Sequence, residues 1–76
     1  MPAQDRRTPE EKLAEADQHI AHAEDLIARQ RNVLADLERD GHDTEKAMAL
    51  LDAMVQALEQ MHVHRRVIEA ELARDA

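Results

Sequence analysis

The fold of this chain is decided by the segment Arg39-Asp40-Gly41-His42-Asp43-Thr44, which holds the only glycine among its 76 residues. A glycine directly after a helix can adopt the left-handed cap conformation that other residues resist. Asp43 or Thr44 can then cap a second helix, with Glu45 in its first turn. The connection over residues 41–43 is therefore very short, and short connections place two helices side by side and antiparallel.

A first helix is predicted over residues 8–40. Thr8 and Glu11 have the spacing of a capping box, and Pro9 occupies the first helical position, where its missing N–H costs nothing. No further Gly or Pro interrupts the chain before Gly41. The preceding residues, 1–7, are polar and are expected to form a disordered tail. The second helix is predicted over residues 44–73.

Apolar residues recur at heptad spacing on both helices, which is typical of a coiled-coil seam. On the first helix a series that begins at Leu13 repeats every seven residues up to Leu34. On the second helix spacings of three and four alternate from Ala47 to Leu72, with Arg65 as the charged member. The pattern predicts an all-α protein that folds as an antiparallel two-helix hairpin.

The apolar arc of each helix is wider than one neighbouring helix covers. Leu26 and Val33 on the first helix, and Leu50 and Val55 on the second, would stay in water in an isolated hairpin. Burying such a side chain stabilises a fold by about 1.5–3 kcal/mol. We therefore expect a homodimer in which two hairpins form a four-helix bundle; a higher oligomer or a complex with another protein stays open. The positions expected in the dimer core are Leu13, Ile20, Leu26, Ile27, Val33, Leu34, Leu37, Leu51, Met54, Val55, Leu58, Met61, Ile68 and Leu72.

Two polar residues lie in the predicted seam. A charge at Arg65 is costly unless it is paired or at a solvent-exposed edge. It could meet Asp17, Glu15 or a carboxylate of a second copy and fix the register of a dimer, as polar seam residues do in coiled coils. Gln30 is expected to act in the same way on the first helix.

Three further apolar residues, Val63, Val67 and Ala70, lie on the other side of the second helix from the seam. Their spacing is that of an amphipathic groove-binding motif. They form either a docking face for another protein or a contact with a neighbouring subunit.

The composition excludes several classes of protein. Without cysteine there are no disulfides and no thiolate metal sites. A formal charge of −7 and the absence of aromatic residues argue against general binding to nucleic acid or anionic membranes. Without Ser, Cys or a glycine-rich phosphate loop, we expect neither an enzyme nor a cofactor. The chain also lacks a long apolar segment and a signal peptide, so a cytoplasmic location without membrane insertion is expected.

Four histidines are candidate metal ligands, because imidazole and carboxylate groups suit zinc, nickel or copper. The candidates are His19, His22, His62 and His64. With the turn centred near residue 42, His22 is level with His62. His62 and His64, however, point in directions about 200° apart on a helix, so both cannot serve one site. Solvated histidines are the favoured interpretation, and a pH-sensitive interface is a further alternative.

The segments His19-Ile20-Ala21-His22-Ala23-Glu24, Ile27-Ala28-Arg29-Gln30-Arg31 and Gly41-His42-Asp43-Thr44 carry a family resemblance. Together they resemble uncharacterised short helical-hairpin proteins of alpha-proteobacteria with an I-A-R-Q-R … G-H-D-T pattern. The match covers residues 19–44 best and residues 62–68 loosely. The resemblance implies a bacterial cytosolic hairpin and no particular activity.

The leading hypothesis is a small acidic interaction or adaptor protein that acts as a homodimeric helical bundle, with no chemistry of its own. A metal-binding or metal-sensing bundle built on the histidines is the first alternative. An RNA-binding hairpin dimer is the second, although the basic residues are scattered among carboxylates.

Overall fold

The computed structural model describes residues 6–75, with side chains for residues 6–74. These residues form two α-helices, α1 (Pro9–Arg39) and α2 (Glu45–Asp75), which pack against each other as an antiparallel hairpin. The predicted all-α hairpin is confirmed. The second helix runs beyond the expected end at residue 73, and each helix of 31 residues is about 46 Å long.

Helix α1 begins at a polar cap. The backbone N–H of Glu11 donates to Oγ1 of Thr8 at 3.1 Å, and the Thr8 hydroxyl donates to Oε1 of Glu11 at 3.3 Å. Pro9 follows as the first helical residue. Of the predicted tail 1–7, residues 1–5 lie outside the described part of the chain, while Arg7 is ion-paired with Glu15.

The turn between the helices is a Schellman motif centred on Gly41. Gly41 has φ +74°, the left-handed conformation. Its N–H donates to the carbonyl of Glu38 at 3.2 Å, and the N–H of His42 donates to the carbonyl of Leu37 at 2.9 Å. These two bonds satisfy carbonyls at the end of α1 that no later helical turn reaches.

Helix α2 begins directly after the turn. The carboxylate of Asp43 accepts a hydrogen bond from the N–H of Glu45 at 3.0 Å, and the carbonyl of Thr44 accepts from Met48 at 2.9 Å. Asp43 therefore supplies the side-chain cap. The direction of the chain is reversed within five residues, 40–44, which leaves α1 and α2 side by side.

The core of the hairpin is small. The fully buried apolar residues among those described are Ala16, Ile20, Ile27 and Ile68. The remaining apolar residues of the seam are half-buried, because each helix is covered by one neighbour only.

The hairpin is one helix layer thick. Its dimensions are 54 × 28 × 14 Å, and the last of these is close to the diameter of about 10–12 Å of a single helix with its side chains. The radius of gyration is 17.0 Å, against about 11 Å for a compact domain of this length. Within residues 6–75, neither helix holds an apolar stretch of the length that a membrane crossing requires.

Replacing Gly41 with Ala should destabilise the hairpin by about 1–2 kcal/mol, the cost of the left-handed conformation for a residue with a Cβ. Beyond the adjacent residues of the chain, no atom lies within 4 Å of the position that this Cβ would take, so the cost arises from the backbone conformation. Urea denaturation at a fixed protein concentration measures it. Gly41→Asn should cost less, since Asn tolerates this conformation. Equal stability of Gly41→Ala and the parent chain would contradict the assigned turn.

Candidate interaction surface

The register of the two helices is given by polar contacts between them. Nζ of Lys12 lies 3.8 Å from Oε2 of Glu71 near the open end of the hairpin. Near the turn, Nε2 of Gln30 donates to the carbonyl of Ala47 at 3.0 Å. Moving seven residues forward along α1 and seven residues back along α2 from Lys12 and Glu71 gives successive pairs of residues on one side of the hairpin. The two members of each pair lie at the same height along the hairpin, and we call them level pairs. These pairs are Lys12 with Glu71, His19 with His64, Leu26 with Ala57, and Val33 with Leu50.

A shallow groove of about 200 Å³ marks this side of the molecule. Lys12 and His19 of α1 and His64 and Glu71 of α2 line it, which shows that the first two level pairs share one side of the hairpin. We call this side the groove face and define it by the four level pairs given above.

The groove face changes character along its length. Next to the turn it presents large apolar side chains to water: Leu26, Val33 and Leu50 are 37%, 48% and 52% exposed. Towards the open end its level pairs present imidazole, ammonium and carboxylate groups, and Val67, 53% exposed, lies beside them in the groove. The level pairs of one half of the face are therefore apolar and unpartnered, and those of the other half are polar.

The opposite side carries an ion-pair network around Arg65. The guanidinium donates to the carboxylates of Asp17 on α1 and Glu69 on α2. Asp17 and Glu69 are each two residues from a groove-lining histidine or glutamate, which turns them about 200° away from the groove. We call this side the Arg65 face.

The charge of Arg65 is stabilised by its hydrogen bond to Asp17. The side-chain hydrogen bond to Asp17 is the main reason that the pKa of Arg65 lies above its ordinary value, and burial opposes it. The guanidinium therefore stays charged throughout the physiological range. Of the partners expected for Arg65, namely Asp17, Glu15 or a carboxylate of a second copy, the structure shows Asp17 of the same chain, together with Glu69.

The residues predicted for a dimer core divide into two groups in the single chain. Ile20, Ile27 and Ile68 are buried between α1 and α2. Leu26 and Val33 are exposed. Half-buried positions make up the rest, namely Leu13, Leu34, Leu37, Leu51, Met54, Val55, Leu58, Met61 and Leu72. Their burial in a dimer stays a prediction.

One expectation about apolar exposure is corrected. Val55, expected to stay in water, is half-buried, since it lies on the Arg65 face one residue from the seam. Val63, Val67 and Ala70 are all exposed, as expected for the side of α2 away from the seam, and Val67 also lines the groove. Their role as a docking face stays a prediction.

The four candidate metal ligands do not converge. His19 and His64 line the groove, whereas His22 and His62 are exposed and are not part of its lining. Within the described residues, no group of three or more His, Asp or Glu side chains is arranged to hold a metal ion. The expected level pair of His22 and His62 is not formed, because the two point to different sides of the hairpin.

Three members of the groove face were not identified from the sequence: Lys12, Ala57 and Glu71. Their heptad spacing is visible in the sequence, since each lies seven residues from His19 or His64. Grouping them required the register between the helices, which the Lys12–Glu71 contact supplies.

Replacing Arg65 with Met should leave the midpoint of urea denaturation unchanged or raise it. The ion pairs are solvent-exposed, and such pairs contribute little, while Met continues the apolar seam. Ile68→Ala, at a fully buried position, is the reference variant, and its free energy of unfolding should fall by about 2–5 kcal/mol. Asp17→Asn should have no effect in the Arg65→Met background. A loss on Arg65→Met as large as that of Ile68→Ala would show that the network holds the hairpin together.

No family model, curated protein or solved structure matches the chain. The resemblance of residues 19–44 to alpha-proteobacterial hairpin proteins therefore stays a prediction. The two faces of the hairpin differ in character: one is charged and internally paired, and the other is partly apolar.

Proposed function

We propose that this chain is a small protein–protein interaction module without chemistry of its own, and that it acts as a homodimer in which two hairpins pack through their groove faces. One observation carries the proposal. Leu26, Val33 and Leu50 lie exposed on the same half of the same face, where a second layer of helices would cover all three.

The shape of the hairpin supports a second layer. Domains are built from at least two packed layers of secondary structure around a core, and this chain supplies one layer 14 Å thick. The chain exposes 6098 Å² to solvent, whereas a compact monomer of its mass exposes about 4,700 Å². The difference of about 1,400 Å² is of the order of the surface that each hairpin could lose to water by pairing with a second one.

The groove face is large enough for a stable interface. Two packed helices, each about 46 Å long and about 10–12 Å wide, have a projected area of roughly 900 Å², and a standard interface needs about 800 Å² from each partner. Burial of the apolar half alone would place six large side chains, three from each copy, in the interface.

The Arg65 face is the less suitable side for pairing. Its network of Arg65, Asp17 and Glu69 lies in the seam and would have to be desolvated, which is costly even when ion pairs remain intact. The Lys12–Glu71 pair of the groove face lies at its open end, away from the apolar half. In the proposed dimer this face stays in water. Because this face stays in water, an arginine in the seam does not need a buried partner.

The outer surface of the dimer then defines what the module binds. The chain has 17 acidic and 10 basic residues, so the solvated faces favour basic or apolar partner proteins over nucleic acid. An acidic bundle with no catalytic group matches an adaptor, whose function is to present a surface.

Placing a charge on the apolar half of the groove face should dissociate the dimer. Val33→Glu and Leu50→Glu each remove an apolar contact worth about 1.5–3 kcal/mol per side chain, and in a twofold dimer each change occurs twice. The dissociation constant from sedimentation velocity should rise by about 100-fold or more. Helicity by circular dichroism should not fall, because Glu is at least as good a helix former as Val.

Val63→Glu is the matched control. Val63 is 43% exposed, close to the 48% of Val33, but it does not lie on the groove face. This variant should dimerise like the parent chain. The proposal is wrong if the parent chain is a fully helical monomer at micromolar concentration, or if Val63→Glu disrupts the dimer and Val33→Glu does not.

A further inference from the structure

We propose that the two copies pair with both turns at the same end of the bundle. This inference rests on the proposed function, because it specifies how the groove face meets a second copy of itself. It is carried by the order of side chains along that face, from apolar at the turn to charged at the open end.

The groove face has four levels. From the turn to the open end they are Val33 with Leu50, Leu26 with Ala57, His19 with His64, and Lys12 with Glu71. The first two levels are apolar and the last two are polar. A twofold axis can relate two such faces in two ways, either along the hairpin or across it.

An axis along the hairpin keeps each level opposite the same level of the other copy. Helix α1 then lies over α2 of the second copy. Val33 faces Leu50 of the partner subunit, so apolar groups meet apolar groups. Lys12 faces Glu71 of the partner subunit, so the charges that meet at the open end have opposite sign.

An axis across the hairpin reverses the order of levels. Helix α1 then lies over α1 of the second copy in the opposite direction, and Lys12 is placed against Val33 of the partner subunit. The carboxylate of Glu71 is placed against Leu50 of the partner subunit. Both charges lose water without gaining a new opposite charge, and both apolar residues lose an apolar contact, which makes this arrangement the less stable one.

The distance between the two turns distinguishes the arrangements. The chain has no cysteine, so His42→Cys gives one unique position for a spin label. His42 is exposed, and the turn uses its backbone rather than its side chain. With neighbouring helix axes about 8–10 Å apart, pulsed electron paramagnetic resonance should give a label separation of roughly 25 Å or less. Turns at opposite ends would be separated by about 45 Å or more, the length of a helix.

Glu59→Cys provides the control. Glu59 is exposed near the middle of α2, a level that both arrangements bring close together in the dimer. A dipolar signal from labels at position 59 therefore reports pairing irrespective of orientation. A signal at position 59 with a separation of about 45 Å at position 42 overturns the inference and leaves the proposed dimer in place. Absence of a signal at position 59, with a monomeric mass, overturns both.

Discussion

The structure depends on the fact that two antiparallel helices form a single layer. Each helix in such a hairpin has one neighbour, and one neighbour covers only a narrow strip of its surface. Even Leu13 and Leu34, which repeat in the seam, are half-buried, and full burial is confined to the middle of α1 and to Ile68. The apolar residues outside the strip are left for another layer to cover.

The two faces of the layer differ in the side chains that they expose to water. On the Arg65 face, a guanidinium in the seam is held by carboxylates from both helices, and the group is satisfied within the chain. On the groove face, Val33 and Leu50 keep about half of their surface in water, with exposed fractions of 48% and 52%. In the proposed dimer, this asymmetry separates a solvated side from an associating side.

The hairpin itself could be predicted because its signals are local. Gly41 is the only residue that can take the left-handed cap without strain, and Thr8 and Asp43 have side chains suited to helix starts. Heptad spacing then placed Ile20, Ile27 and Ile68 between the helices. Each of these signals is contained within a few residues or one helical repeat.

The faces were harder to predict, because they depend on the register between helices distant in sequence. An assumed centre of the turn at residue 42 made His22 level with His62, whereas the structure brings His19 and His64 into one groove. His62 lies two residues before His64, which turns it by about 200° to another side of α2, so a nearly level position does not bring it to His22. Periodicity also could not show that Lys12 and Glu71 complete the polar half of the groove face.

The association of hairpins through an otherwise exposed apolar half-face is the central claim, and the molar mass in solution tests it most directly. Light scattering on the eluting peak at micromolar concentration should give twice the chain mass of 8.7 kDa. A mass of one chain, for a protein that remains fully helical, would mean that Leu26, Val33 and Leu50 stay in water and that the hairpin is complete by itself.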